Sequence, residues 1–455
     1  LAPDLAEKWD ISKDGKTLTF HLTGSAHFAT GKPLTAEDAA FSMQRVVKLN
    51  MTPGFIITQF GFTKDNVDDL IRATDTHTLE MKLPNREAPT FVLYCLSANV
   101  GSIVEKATAL AHQSGDDLGN AWLNTHTAGA GAYKLTAWAA SNHVILDANR
   151  HSGIKTGVPR VVIRHVEDPA AQLLLLQRGG ADIARNLLAD QLKTVKANPK
   201  YHLAIAKQML SMYIGMNQAH APLAKVPVHQ AIKWAINYDA IAQHITPLTW
   251  TVCQSFLPTG LPAALTEQPF KRDTAKAKKL LAEAGYGKGL SLTMDYISEA
   301  PYAQVAQAIQ ADLAGIGMKV QLIPGEQKQV FSKMRARKHQ LILSIWGTDY
   351  FDPNSNAQAF CADPDDSDNS KLKILAWRCH FADKQLTAEA AAAAKELDAK
   401  KRIAMYEDMQ RQFWQRAPFA MLLQRNQVAA LRQDVSGLKL GPMPDYTKYA
   451  AITKT

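Results

Sequence analysis

The sequence predicts an α/β protein built on more than one hydrophobic core, and three observations carry that prediction. The chain has 455 residues, 46% of them hydrophobic, whereas single cores stop growing near about 250–300 residues. Alternation of period two, the mark of half-buried strands, recurs along the whole chain, with stretches of helical period between. The first half mixes hairpins and helices in α+β order, and the second half repeats strand, helix, strand, strand.

The elements follow in order. "LAEKWDISKDGKTLTFHL" reads as a hairpin, because Asp14-Gly15 supplies turn chemistry before the alternation Leu18, Phe20, Leu22. In "FATGKPLTAEDAAFSMQRVV" Thr35 precedes a helix with Asp38 three residues on, a near capping box. Strands are expected over 76–83, 133–138 and 143–149, then in "PRVVIRHVED", followed by a helix in "PAAQLLLLQRGGADI" that Gly179-Gly180 ends. "MLSMYIGMN" reads as an apolar strand, and Val228, Ile232, Ile236 and Ile241 follow a helical period. The helix "DTAKAKKLLAEAG", stopped by Gly285, leads to the strand "LSLTMDYI", and Val305, Ile309 and Leu313 mark a helix over 302–316. "MKVQLI" and "HQLILSIW" add two strands. One long helix is expected over 387–416, ending before Pro418, with short strands after it.

Composition excludes several classes. No run approaches the roughly 18 uncharged apolar residues of a membrane span. The net charge of +9 is scattered, with no block of five or six basic residues, so neither a nucleic-acid partner nor a single-strand groove is expected. The four cysteines, Cys95, Cys253, Cys361 and Cys379, form no C-x-x-C pair and no zinc-ribbon spacing. Cys361 and Cys379 bracket a polar segment, and a disulfide between them is expected in an oxidising compartment. "DPDDSDN" lacks the glycine and terminal glutamate of a calcium loop, and no H-E-x-x-H, G-x-S-x-G or Walker sequence occurs. No metal or cofactor is expected. The chain opens on Leu1-Ala2-Pro3-Asp4 without an initiator Met or a leader, so a preceding segment is expected.

One stretch raises a functional question. In "SIWGTDYFDP" an aspartate follows an apolar run, beside a glycine and between aromatic residues. Asp349 in that setting could cap a turn, ligate a metal, catalyse or hold a ligand.

Six segments bear on the answer: "LAPDLAEKWDISKDGKTLTFHL", "HFATGKPLTAEDAAFSMQRV", "GAGAYKLTAW", "VPVHQAIKWAINYDAI", "AKKLLAEAGY" and "WGTDYFDP". Together, and in this order, they resemble the family 5 extracellular solute-binding proteins, the dipeptide- and oligopeptide-binding subunits of ABC importers. The resemblance implies a two-lobed periplasmic-binding-protein fold of type II with a hinge of crossing strands. Lobe I would take residues 1–207 and 425–455, with an extra subdomain in 1–100 and its main part in 101–207, and lobe II residues 208–424. The opening strand of lobe I would be absent from the chain as it stands.

The resemblance also implies a function: capture of a small peptide or amine-bearing solute between two closing lobes in the periplasm, and delivery to ABC permease subunits. A monomer without enzymatic activity is expected. In peptide-binding relatives the aspartate of the W-x-x-D motif meets the ligand's ammonium, a position held here by Asp349. A carboxylate in a water-poor cleft gains about 1.5–3 kcal/mol from such a charge-assisted bond. Trp346 and Tyr350 are candidates to stack on the ligand, Thr348 belongs to the same motif, and Gly347 would let ligand backbone approach strand backbone. Tyr213 and Asn217 are candidate lining residues on the crossing strand. Dipeptide binders carry an arginine immediately before a Pro-Tyr pair, but "SEAPYAQ" places Ala300 there with Glu299 beside it, which fits a second cationic group on the ligand. Longer peptides, opines, sugar conjugates, polyamines, metal chelates or haem remain open as cargo. A rival reading is a hydrolase using the carboxylates of Asp349 and Asp352.

Overall fold

The computed structural model describes residues 1–443 and 446–455. The chain divides into two compact units, residues 1–204 with 429–455, and residues 205–428.

The first unit opens with the expected hairpin. β1 (Ala6–Ile11) pairs antiparallel with β2 (Thr17–Leu22) across a turn in which Gly15 adopts φ of 72°, a left-handed conformation that favours glycine. With β3 (Ile71–Asp75) and β4 (Thr78–Lys82) they form a four-stranded sheet in the order β1-β2-β4-β3. Helix α1 (Ala36–Leu49) begins at a full capping box, since Thr35 accepts from the Asp38 amide while the Asp38 carboxylate takes the Thr35 amide, 3.1 Å away. Leu18, Phe20, Met81, Phe41 and Met43 are buried in this part of the unit. A three-stranded antiparallel sheet follows, made of β5 (Tyr133–Ala139), β6 (His143–Ala148) and β7 (Arg160–Arg164).

The largest sheet has seven strands. These are β8 (Ile183–Ala184), β9 (Tyr201–Met216), β10 (Trp250–Val252), β11 (Leu290–Ile297), β12 (Met318–Gly325), β13 (Leu341–Gly347) and β14 (Phe419–Arg432). Six run in the order β10-β14-β9-β13-β11-β12, and β8 pairs with the last residues of β14. β11 is parallel to both β12 and β13, whereas β9 is antiparallel to β13. A short pair, β15 (Val435–Ser436) with β16 (Thr453–Lys454), completes the strands.

Five helices of the second unit matter for the site: α2 (Val226–Ala235), α3 (Tyr302–Ala314), α4 (Pro353–Cys361), α5 (Lys384–Lys395) and α6 (Ala399–Arg416). Phe256, Phe360, Phe413 and Phe419 form the aromatic centre of this unit, with ring centroids 5.1–6.4 Å apart, spacings at which aromatic pairs contribute beyond their buried area.

Four expectations are corrected here. The single helix over 387–416 is two helices, because Asp398 caps a new one by accepting from the Lys401 amide at 2.8 Å. The helical period from Val228 ends with α2, and a short helix capped by Asn237 starts afresh. The tail after Pro418 is not a set of short strands, since β14 alone has 14 residues. The Cys361–Cys379 disulfide is absent, and all four cysteines are buried thiols. Cys361 ends α4, where its carbonyl takes the Thr387 hydroxyl of α5. The Cys379 sulfur instead lies 3.8 Å from His339 Nε2, so the two thiols serve different packing sites.

Candidate ligand-binding site

The carboxyl ends of the parallel strands β11 and β13 point the same way, so the segments that follow them share one edge of the sheet. Such edges are where open α/β sheets receive ligands. Trp346 and Gly347 close β13 opposite Ser211 and Leu210 of β9, and the Thr348 amide prolongs the ladder by donating to the Met209 carbonyl at 2.9 Å.

Helix α4 holds the loop beyond. Asn356, fully buried, accepts at Oδ1 from the Thr348 hydroxyl (3.0 Å) and the Trp346 indole (3.3 Å), and its amide donates to the Phe256 carbonyl at 2.6 Å. Trp346 is thereby set edge-on to Phe360, with centroids 6.3 Å apart. The Asp349 amide donates to Ser355 Oγ at 2.9 Å. Tyr350 is 1% exposed, and its hydroxyl accepts from Asn354 Nδ2. Asp352 caps α4 through the Asn354 amide and receives both terminal nitrogens of Arg402, at 2.7 and 2.8 Å. Burial acts against the charge of Arg402, but the Asp352 carboxylate outweighs it and holds the guanidinium above its usual range.

The polar side-chain groups of Trp346, Thr348, Tyr350 and Asp352 are thus engaged. The Asp349 carboxylate has no hydrogen bond or ion pair among the described residues. Burial pushes its pKa up to about 6, although the residue keeps an exposed surface. A carboxyl that water reaches, but that protein surrounds on most sides, accounts for both observations. Asp349 is therefore not the turn cap. That task falls to Asp352, whose commitment to Arg402 and α4 also removes it as the second carboxylate of a hydrolase.

The other candidates separate by burial. Gly347 is exposed, and a Cβ added there would meet only Leu210 Cδ1 at 3.7 Å, so nothing inside the protein requires a glycine. Glu299 is exposed in the turn after β11, level with the end of β13. Thr348, Tyr350, Tyr213 and Asn217 are interior residues. Tyr213 packs edge-on against Phe360 and Phe419. Asn217 lies at the opposite end of β13, where its amide group donates to the carbonyls of Arg337 and His339, both at 2.9 Å. The candidate surface is thus the exposed Gly347, Asp349 and Glu299 with the half-buried Trp346. Ser355 and Asn356, which fix its geometry, escaped the sequence reading because polar residues inside a short helix carry no periodic signal. A cavity of about 660 Å³ lies elsewhere in the same unit, lined by Lys207, Gln254, Glu267 and Trp250 among others, and includes none of these four residues.

Comparison with known proteins decides the family. Residues 1–368 match the model of the bacterial extracellular solute-binding proteins, family 5 Middle. The chain belongs to that family. Among the family 5 relatives, a probable D,D-dipeptide-binding periplasmic protein of Escherichia coli, DdpA, is 29% identical over 447 residues, covering 97% of this chain and 82% of the relative. The ABC transporter substrate-binding protein CtaP of Listeria monocytogenes superposes with a TM-score of 0.85 at 23% identity, over 99% of this chain and 90% of that one. The periplasmic binding protein DppA of Helicobacter pylori, solved with the peptide STSA, gives 0.78 at 22% identity, over 100% and 89%. The chain has the α/β fold of the two-lobed family 5 binding proteins. No helix among the described residues is long and apolar enough to cross a membrane.

Proposed function

We propose that this family 5 protein is the periplasmic substrate-binding component of an ABC importer, and that it captures a small peptide or another amine-bearing solute at the carboxyl end of β13. One observation carries the ligand class. Asp349 is an unpaired carboxylate in a loop that Ser355 and Asn356 hold in place, so an incoming ammonium meets a preorganised partner. Relatives named for D,D-dipeptides and for a bound peptide support the peptide version. Gly347 supports main-chain recognition, since its open side admits ligand backbone. The mechanism makes and breaks no bond. A ligand that prefers one conformation shifts the population towards it, and delivery to the permease follows from that shift.

Isothermal titration with a peptide library tests this reading. Binding of free peptides, lost on N-acetylation, is expected. Silence towards every peptide, combined with tight binding of another solute recovered from the native host, would overturn the peptide version. Ala300, in place of the arginine that dipeptide binders carry there, favours cargo other than a free dipeptide.

A further inference from the structure

The candidate surface as described carries two carboxylates, those of Asp349 and Glu299, and no cation. An unpaired cation lies two strands from β13. Arg425 on β14 is partly exposed and makes no ion pair or hydrogen bond among the described residues. It stands opposite Trp250 in the β10–β14 pair.

Alternation along the strands defines the face it occupies. Gln424 Nε2 donates to the Thr259 carbonyl at 3.0 Å, and Met209 Cε lies 3.0 Å from where a Cβ on Gly260 would stand, so Gln424 and Met209 face the 259–260 segment. Their neighbours Arg425 and Leu210 therefore turn to the other face. Gly347 points that way too, towards Leu210. The same face carries Trp250, whose ring lies 6.5 Å from that of Tyr302 at the start of α3. Burial raises the Tyr302 phenol, while Arg425 opposes the rise and Glu299 adds to it. Glu299 and Arg425 nonetheless form no ion pair among the described residues.

β14, β9 and β13 are neighbours, and the Met216 amide bonds the Pro418 carbonyl while the Gln433 amide bonds the Lys200 carbonyl, so β9 and β14 run antiparallel with Arg425 level with Gln208–Met209. Met209 takes the Thr348 amide, which leaves the backbones of Arg425 and the Gly347–Asp349 end of β13 about 10 Å apart, two strand spacings of about 4.8 Å. A short extended chain has its terminal charges separated by a similar length, at about 3.3–3.6 Å per residue. We propose that Arg425 is a specificity-determining residue that holds the anionic end of a zwitterionic ligand, a short peptide or a solute with the same two terminal charges, whose ammonium is held by Asp349. The assignment rests on the amine-binding reading of Asp349 and adds the opposite end. A guanidinium suits the task, because its planar donors meet a carboxylate in pairs.

The test compares three forms of one randomised tripeptide pool: free acid, C-terminal amide and N-acetylated acid. Apparent dissociation constants come from ligand-induced thermal shifts at pH 7.5, for the wild type, Arg425→Gln, Arg425→Lys and Asp349→Asn. Expected results are at least tenfold weaker binding of the free acid to Arg425→Gln, an unchanged constant for the amide, and partial recovery in Arg425→Lys. Recovery by lysine and the unchanged amide show that the variant is folded. Equal affinity of wild type and Arg425→Gln for the free acid, with binding still lost in Asp349→Asn, overturns the role of Arg425 and leaves the ammonium site standing. Failure of all three pools to bind the wild type overturns the peptide version of that reading, and the assignment of Arg425 to a peptide carboxylate with it.

Discussion

The carboxylate of Asp352 receives two nitrogens of Arg402, 2.7 and 2.8 Å away, in a pair that is almost wholly closed to solvent, with side-chain exposures of 0% and 6%. The pair ties the loop beyond β13 to α6, fifty residues further along the chain. Removing one partner leaves the other charge buried alone, at a cost of about 3–5 kcal/mol. Asp352→Ala and Arg402→Met should each lower stability by that amount in urea unfolding. A double variant with an apolar pair should recover part of it, and a loss under about 1 kcal/mol for either single variant would count against a structural role.

Asp349, three residues earlier, should behave in the opposite way. Its pKa is pushed up to about 6 by burial, so the folded protein favours the protonated form. A raised acid contributes stability at low pH that disappears as pH rises through about 6. Asp349→Asn should therefore leave the melting temperature at pH 7.5 unchanged or higher, while it weakens an ammonium ligand by about 10- to 100-fold, the equivalent of about 1.5–3 kcal/mol. Binding to the wild type should also weaken by up to tenfold per pH unit below about 6, as the carboxylate is neutralised. The variant should show no such slope, and a flat profile in the wild type would remove Asp349 from the site.

The thiols offer a simple check. Cys95, Cys253, Cys361 and Cys379 are buried thiols, and burial raises the pKa of Cys253, Cys361 and Cys379, that of Cys379 to about 12. Ellman's reagent should find almost no reactive thiol in the native protein and four after unfolding. A reductant should leave the melting temperature unmoved, and a count of two after unfolding without reductant would restore the disulfide.

Lys233 of α2 is 1% exposed and donates to the carbonyls of Trp414 and Ala417 at the end of α6. Burial lowers its pKa to about 7. Between that value and the ordinary lysine value the unfolded chain holds the extra proton, so stability should rise with pH across this window. Urea unfolding at pH 7 and 9.5 should show the rise in the wild type and not in Lys233→Met. At pH 9.5 that variant should lose about 1–3 kcal/mol through the missing hydrogen bonds. Equal slopes in the two proteins would show that Lys233 stays charged, held by the carbonyls of the helix end.

Much of the fold was legible because its signals are local. The Asp14-Gly15 turn, the Thr35–Asp38 capping box and the apolar run of β13 each depend on residues within a few positions of one another. The lengths of β9 and β14 were not legible. The first half of β9 is mostly part-exposed and its second half buried, so no single pattern runs through it. The break between α5 and α6 was hidden by good helix formers on both sides, and only the Asp398 cap marks it.

The site divides along the same line. The sequence by itself pointed to the Trp346–Asp349 segment as the candidate site, with a carboxylate, a glycine and an aromatic ring close together. It could not say which of two nearby aspartates stays free, since that depends on Arg402 and on Ser355 and Asn356 of α4. Nor could it place Arg425 on the face shared with Gly347, because strand order and register bring those residues together. Turn and cap chemistry is written within one stretch of chain. Whether a charge is paired or left open to a ligand is decided by groups that only the folded sheet and its helices place beside it.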